Sequence, residues 1–196
     1  MSNNTKRISN ITRETRETKI TATLNLDGSG KYSIETGIGF LDHMLTAFAV
    51  HGKFDLEFKC EGDLHVDSHH TAEDAGIVLG SALRQALNDS VIVRYGSARI
   101  PMDESLGYCD LDISARPFLV FNAEFNGEKA GDLDTCLIKE FMQAFAFNAG
   151  ITLHIGADYG DNDHHKIEAM FKALAYALRT AVKVHDGEVV STKGCL

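Results

Sequence analysis

The segment His69-His70-Thr71-Ala72-Glu73 returns 95 positions later as His164-His165-Lys166-Ile167-Glu168. At that offset, residues 69–87 and 164–182 share eight identities. They are His69/His164, His70/His165, Glu73/Glu168, Leu79/Leu174, Ala82/Ala177, Leu83/Leu178, Arg84/Arg179 and Ala86/Ala181. A weaker echo lies upstream. Ala47-Phe48-Ala49 matches Ala144-Phe145-Ala146 and Leu56 matches Leu153, which sets His43 opposite Glu140. A chain that repeats itself over this span is constrained to fold as two copies of one half-sized unit. The apolar matches recur at helical spacing and read as core. Packing does not explain the matched His and Glu residues.

If each copy is helical, the first His and the Glu stand at i and i+4 on one face. The middle His points roughly 100° away, given 3.6 residues per turn. One helix can then feed two metal ions, and two copies can build a pair of histidine–carboxylate sites. Neutral imidazole and carboxylate together suit Mn, Fe, Co, Ni or Zn, and affinity order does not choose among them. The bland alternative is a pair of histidines capping or pairing on a solvated helix face. It explains one copy well enough; a second copy in the equivalent place favours metal binding. His51, His65, His154 and His185 have no repeat partner and read as ordinary core or surface histidines.

At 196 residues the chain is one domain or two small halves, long enough to bury a real core. We read residues 1–196 as a single domain of two pseudo-repeats, about 13–92 and 93–196. The net charge of -9 argues against a nucleic-acid partner, which needs a basic face, but leaves room for a local basic pocket. No apolar run approaches the ~20 residues of a membrane span. The polar start lacks the apolar stretch of a secretory signal. Cys60, Cys109, Cys136 and Cys195 are scattered, so they read as reduced thiols of a cytoplasmic protein and not as a zinc ribbon.

Residues 1–19 lack an apolar period and read as loose. Ile20, Ala22, Leu24 and Leu26 alternate as a strand, Asp27-Gly28-Ser29-Gly30 is turn chemistry, and 32–34 starts a return strand. A helix over 41–49, a strand over 54–58, a turn at 61–63, a further extended piece at 64–66 and a helix over 68–88 complete the first half. The second half gives strands at 108–113 and 118–125, a helix over 135–147, a strand over 151–155 and a helix over 162–183. The expected fold is α+β, each half a small sheet with helices on one face, the two helical faces packed together between the sheets.

Anion-binding groups lie outside the repeat. Ser191-Thr192-Lys193-Gly194 offers hydroxyls, backbone N–H groups and an ammonium, a plausible phosphate cradle. Arg94 and Arg116 are candidate anion ligands whose alternative is an ordinary surface arginine. Lys172, eight residues after His164, points to the same side of its helix as the ligands. It can reach an anion near the metal, or be an ordinary solvated lysine.

Five motifs, in order, resemble the imidazoleglycerol-phosphate dehydratases, manganese enzymes of histidine biosynthesis. They are Gly37-Ile38-Gly39-Phe40-Leu41-Asp42-His43-Met44-Leu45, Asp67-Ser68-His69-His70-Thr71-Ala72-Glu73-Asp74, Asn162-Asp163-His164-His165, Phe171-Lys172-Ala173 and Ser191-Thr192-Lys193-Gly194. The resemblance runs from about residue 13 to the C-terminus. It implies a duplicated fold of the ribosomal protein S5 domain 2-like kind, two Mn2+ ions per active site, and an assembly of twenty-four subunits with sites at subunit boundaries. The family's metal ligands fall on His43, His69, His70, Glu73, His164, His165 and Glu168. Its remaining ligand is often His; this chain has Glu140 there, and glutamate also coordinates manganese. The substrate contacts fall on Glu17, Arg94, Arg116, Lys172, Ser191 and Lys193.

The implied reaction is loss of water from imidazole glycerol phosphate to give imidazole acetol phosphate. The proton to be removed is not next to a carbonyl, so the imidazole ring must supply the activation. Metals on its two nitrogens favour the imidazolate. Electron flow from the ring expels the neighbouring hydroxyl, a base removes the adjacent C–H proton, and the enol tautomerises. Glu17 is the candidate for that proton transfer. Two other readings stand beside this one: a dinuclear metallohydrolase, and a non-catalytic metal-binding or storage protein.

Overall fold

A computed structural model describes residues 6–88, 90–185 and 187. In the first half, β1 (Ile8–Glu14), β2 (Thr18–Asn25) and β3 (Tyr32–Glu35) precede α1 (Gly39–Gly52), β4 (Asp55–Gly62) and α2 (His69–Leu87). The second half repeats the order. There β5 (Tyr95–Met102), β6 (Ser105–Asp112) and β7 (Phe118–Asn122) precede a short hairpin, β8 (Lys129–Ala130) and β9 (Leu133–Asp134), then α3 (Leu137–Ala149), β10 (Thr152–Tyr159) and α4 (Asp163–Ala181).

The duplication is written in the topology. The first sheet runs β1-β2-β4-β3 and the second β5-β6-β10-β7. In both, the first three strands are antiparallel neighbours and the last pair is parallel. Register agrees as well: Leu24 faces Leu56 as Leu111 faces Leu153. The fold is the expected α+β one, with α2 and α4 each laid on a sheet and the four helices packed between the sheets, α2 against α3 and α1 against α4. Phe48, Phe141, Phe145 and Phe171 fill that helical layer, each at most 1% exposed.

Four sequence expectations need correction. Residues 8–14 are not loose but form β1, paired along its length with β2. Its inward positions are Ser9, Ile11 and Arg13, so no apolar alternation announced it. Arg13 instead pairs with the buried Asp74 of α2 at 2.9 Å. The segment at 32–34 does not return along β2; β3 crosses to the far edge and runs parallel to β4. Residues 64–66 are a turn, closed by the Val66 N–H on the Asp63 carbonyl at 2.8 Å. Finally, β5 was missed because its inward side begins with Gly96 and Ala98. A side chain at Gly96 would lie 2.0 Å from the Ala177 carbonyl of α4, so close approach of the helix demands a residue that carries no strand signal.

Candidate metal centre

The two repeated motifs open α2 and α4, and a capping residue fixes each start. Asp67 Oδ1 accepts the His69 N–H at 2.8 Å, and Asn162 Oδ1 accepts the His164 N–H at 3.0 Å. These caps stand at equivalent places in the repeat, two residues before the first His. The i, i+4 geometry follows. His164 Nε2 lies 3.2 Å from Glu168 Oε2, and His69 Nε2 lies 3.7 Å from Glu73 Oε2. In each motif the second ring turns nearly perpendicular to the first, by 89° for His69/His70 and 83° for His164/His165.

α1 brings a third side chain. His43 Nε2 lies 3.3 Å from Glu168 Oε2, and the ligand atoms of His43, His164 and Glu168 all fall within 4.8 Å of one another. The rings stay half-open to solvent while Glu168 is buried. Burial alone would raise the Glu168 carboxyl. The Lys172 ammonium, 2.6 Å from its other oxygen, and the His43 ring reverse this and hold it below the ordinary carboxylate range. Two imidazoles and an ionised carboxylate converging on open space are a donor set that suits a divalent transition metal. The counterpart set of His69, Glu73 and Glu140 does not converge in this way among the described residues.

The second histidine of each motif is held by a carboxylate on Nδ1. His70 Nδ1 sits 3.1 Å from Asp63, and His165 Nδ1 sits 2.8 Å from Glu104. These contacts raise the pKa of both rings. Glu104 is held well below the usual carboxylate range, first by His165 and then by the Asn162 N–H. Each Nε2 is left facing outward, with Glu17 at 3.7 Å from that of His70 and Asp103 at 3.8 Å from that of His165. Neither Asp63 nor Glu104 was picked out from sequence. Glu104 was findable: it lies seven residues before Leu111, as Glu17 lies seven before the equivalent Leu24.

The basic candidates divide. Lys172 is not a solvated surface lysine, since it bonds Glu168. Arg94 is buried and grips Asp112 through Nε at 2.6 Å and Nη2 at 3.0 Å, so the surface reading of it is also corrected. Arg116 is exposed, with a loose 3.8 Å contact to the same Asp112. The two arginines therefore gather at one end of β6. Ser191 and Lys193 lie outside the described residues.

Sheets, helices and cluster together define an internally duplicated α+β protein with a histidine–carboxylate centre at the mouths of its helices. A family model described as imidazoleglycerol-phosphate dehydratase matches residues 36–178. The chain is 56% identical to the imidazoleglycerol-phosphate dehydratase of Methylorubrum extorquens, covering 97% of this chain and 100% of that protein. It is 58% identical to that of Azorhizobium caulinodans, over 95% and 96%. The crystal structure of the Staphylococcus aureus enzyme superposes with a TM-score of 0.82 at 41% identity, covering 91% of this chain and 99% of that one. The chain belongs to the imidazoleglycerol-phosphate dehydratase family, and it is a hydro-lyase of histidine biosynthesis.

Proposed function

We propose that the chain dehydrates D-erythro-imidazole glycerol phosphate to imidazole acetol phosphate at a di-manganese site shared between subunits, in the cytoplasm. The observation that carries this reading is the convergence of His43, His164 and Glu168, on a fold whose other half repeats the His69/Glu73 pair. On this reading His43, His164 and Glu168 would hold one Mn2+, His69, Glu73 and Glu140 would hold the other, and the outward Nε2 atoms of His70 and His165 would complete the sites of neighbouring chains. Such ions, when bound, supply Lewis acidity that favours the imidazolate form of the substrate ring.

The protein's own groups do the rest. Asp63 and Glu104 keep the second imidazoles in one tautomer and one orientation, as carboxylate partners of metal-binding histidines do. Glu17 stands free in the β1–β2 turn beside His70 and takes the C–H proton next to the departing hydroxyl. Arg94, Arg116, Ser191 and Lys193 hold the phosphate, and Lys172 neutralises charge beside Glu168.

Distance supports a shared site. The Arg94 N–H bonds the Ala181 carbonyl, seventeen residues after His164. At ~1.5 Å per helical residue that is about 25 Å, beyond the reach of one small phosphorylated imidazole. Arginines and cluster can serve the same molecule only if different chains supply them. The reading is consistent with a closed homo-oligomer, of twenty-four subunits by family resemblance. No described helix is long and apolar enough to cross a membrane. Metal-stripped protein should dehydrate imidazole glycerol phosphate only after Mn2+ is returned; undiminished turnover by the stripped protein would remove the metal from the account.

A further inference from the structure

The two halves differ in the connection that leads from the third strand to the shorter helix. Three residues join β3 to α1, whereas residues 123–136 join β7 to α3 and carry the β8–β9 hairpin. Duplication does not account for this insertion, and its contacts fall on the N-termini of all three other helices. Asp132 accepts the Gly39 N–H at 2.7 Å and the Phe40 N–H at 2.8 Å, closing the start of α1. Asp134 accepts the Ser68 hydroxyl at 3.3 Å, immediately before α2. The Asn126 and Gly127 N–H groups donate to Asp163 Oδ2 at 2.8 and 2.7 Å, in the first turn of α4. The buried Lys166 donates to the Glu124 carbonyl at 2.7 Å. Thr135 Oγ1 ties the segment to itself on the Gly127 carbonyl at 2.8 Å.

One of these anchors leads directly to the metal-centre rings. Phe40, whose N–H Asp132 holds, packs edge-on against His164 at 5.0 Å and His43 at 6.4 Å between ring centroids. Gly131, in the left-handed region at φ 61, lies so close that a side chain there would meet Phe40 Cβ at 3.0 Å. The hairpin, the Phe40 ring and the two imidazoles form one packed column.

We propose that residues 123–136 are a strap that sets the spacing of the His43/His164/Glu168 cluster, with Asp132 and Phe40 as positioning residues acting through those imidazoles. The strap rests on the reading of that cluster as a metal site. It acts on how tightly the ion is held, not on the chemical step. Removing an outer partner of a metal ligand typically costs 10–100-fold in metal affinity. Asp132→Asn keeps the shape but turns an amide toward one of two N–H groups. Phe40→Leu removes the ring and leaves the capping bonds in place.

The test is a Mn2+ titration of metal-free protein, followed by the electron paramagnetic resonance of free Mn2+, on wild type, Asp132→Asn and Phe40→Leu. Lys129→Ala, which removes an exposed 3.5 Å pair with Asp134 but leaves the Asp132 bonds to the Gly39 and Phe40 N–H groups in place, is the control. The expected result is a dissociation constant raised roughly 10–100-fold for one class of site in both variants, and wild-type affinity in the control. At saturating Mn2+ their kcat and KM should return to wild-type values. Variants that melt earlier but bind Mn2+ like wild type would make the strap merely structural and overturn the proposal. If Asp132→Asn does not fold, the Phe40→Leu titration decides alone. Wild-type protein that binds no Mn2+ would instead refute the metal reading itself.

Discussion

At the scale of single residues, duplication leaves a division of labour between carboxylates. Glu17 and Glu104 are counterparts, yet Glu104 is spent on His165 Nδ1 and on the N–H groups of Asp161 and Asn162. In the first half Asp63 takes the Nδ1 position, and Glu17 is left exposed on the other side of the ring. Each half thus keeps an exposed turn carboxylate beside its second histidine's Nε2, Glu17 beside His70 and Asp103 beside His165, and the family resemblance assigns the base to Glu17. Glu17→Gln should leave Mn2+ content and substrate binding near normal and cut turnover by roughly a hundredfold or more, read from steady-state kinetics with a direct binding measurement. Normal turnover would move the base to Asp103, which faces His165 Nε2. A second residue prediction concerns stability. The Arg7 side chain bonds Asp27 and the Val182 carbonyl at the end of α4, and Arg7 lowers the Asp27 pKa. A depressed carboxyl adds stability that is present above its unfolded pKa of about 3.9 and is lost as pH falls through the lower folded value. Asp27→Asn should thus reduce stability at neutral pH and flatten its decline below about pH 4, measured by denaturant melts; parallel wild-type and variant pH curves would show that the pair contributes nothing. Motif spacing made the i, i+4 pairs and the outward second histidines legible. It did not reveal Asp63, which opens the turn closed by the Val66 N–H, where the sequence reading ended a turn at residue 63 and continued in an extended piece at 64–66.

Among the elements, what the sequence concealed was close approach. The apolar faces of α2 and α4 were plain from periodicity, but β5 and the tight α2–α3 contact depend on glycines that carry no pattern. A side chain at Gly76 would stand 2.5 Å from the Phe141 carbonyl, and one at Gly80 the same distance from that of Phe145. Helix propensity alone favours Gly76→Ala by about 1 kcal/mol. Because the obstacle is backbone, overpacking should win and the variant should lose roughly 1–3 kcal/mol in chemical denaturation. A stabilised Gly76→Ala would mean that the helices have room to spare. The β8–β9 hairpin was illegible for a different reason: two-residue strands fall below any periodicity, and its anchors are long-range bonds from single aspartates.

For the whole molecule, the separation of arginines from the cluster is the fact that a sequence cannot supply. The family resemblance assigns Arg94, Arg116 and the histidines to one kind of site, yet one chain holds Arg94 and the cluster about a helix length apart. If neighbouring chains complete each site, inactive Arg116→Ala and inactive His164→Ala proteins, co-assembled from dissociated subunits, should recover activity that neither parent shows. Mixed assemblies of verified composition that stay inactive would place the whole site within one chain.

The central claim is that both copies of the motif build metal sites, so that each chain accounts for two ions. The most direct measurement is the Mn2+ bound per chain at saturation, by elemental analysis of wild type, His69→Ala and His164→Ala after removal of free metal. The account predicts two ions per chain in wild type, with loss of metal and of activity together in each variant. One ion per chain in wild type, or full metal content with wild-type activity in either variant, would contradict it.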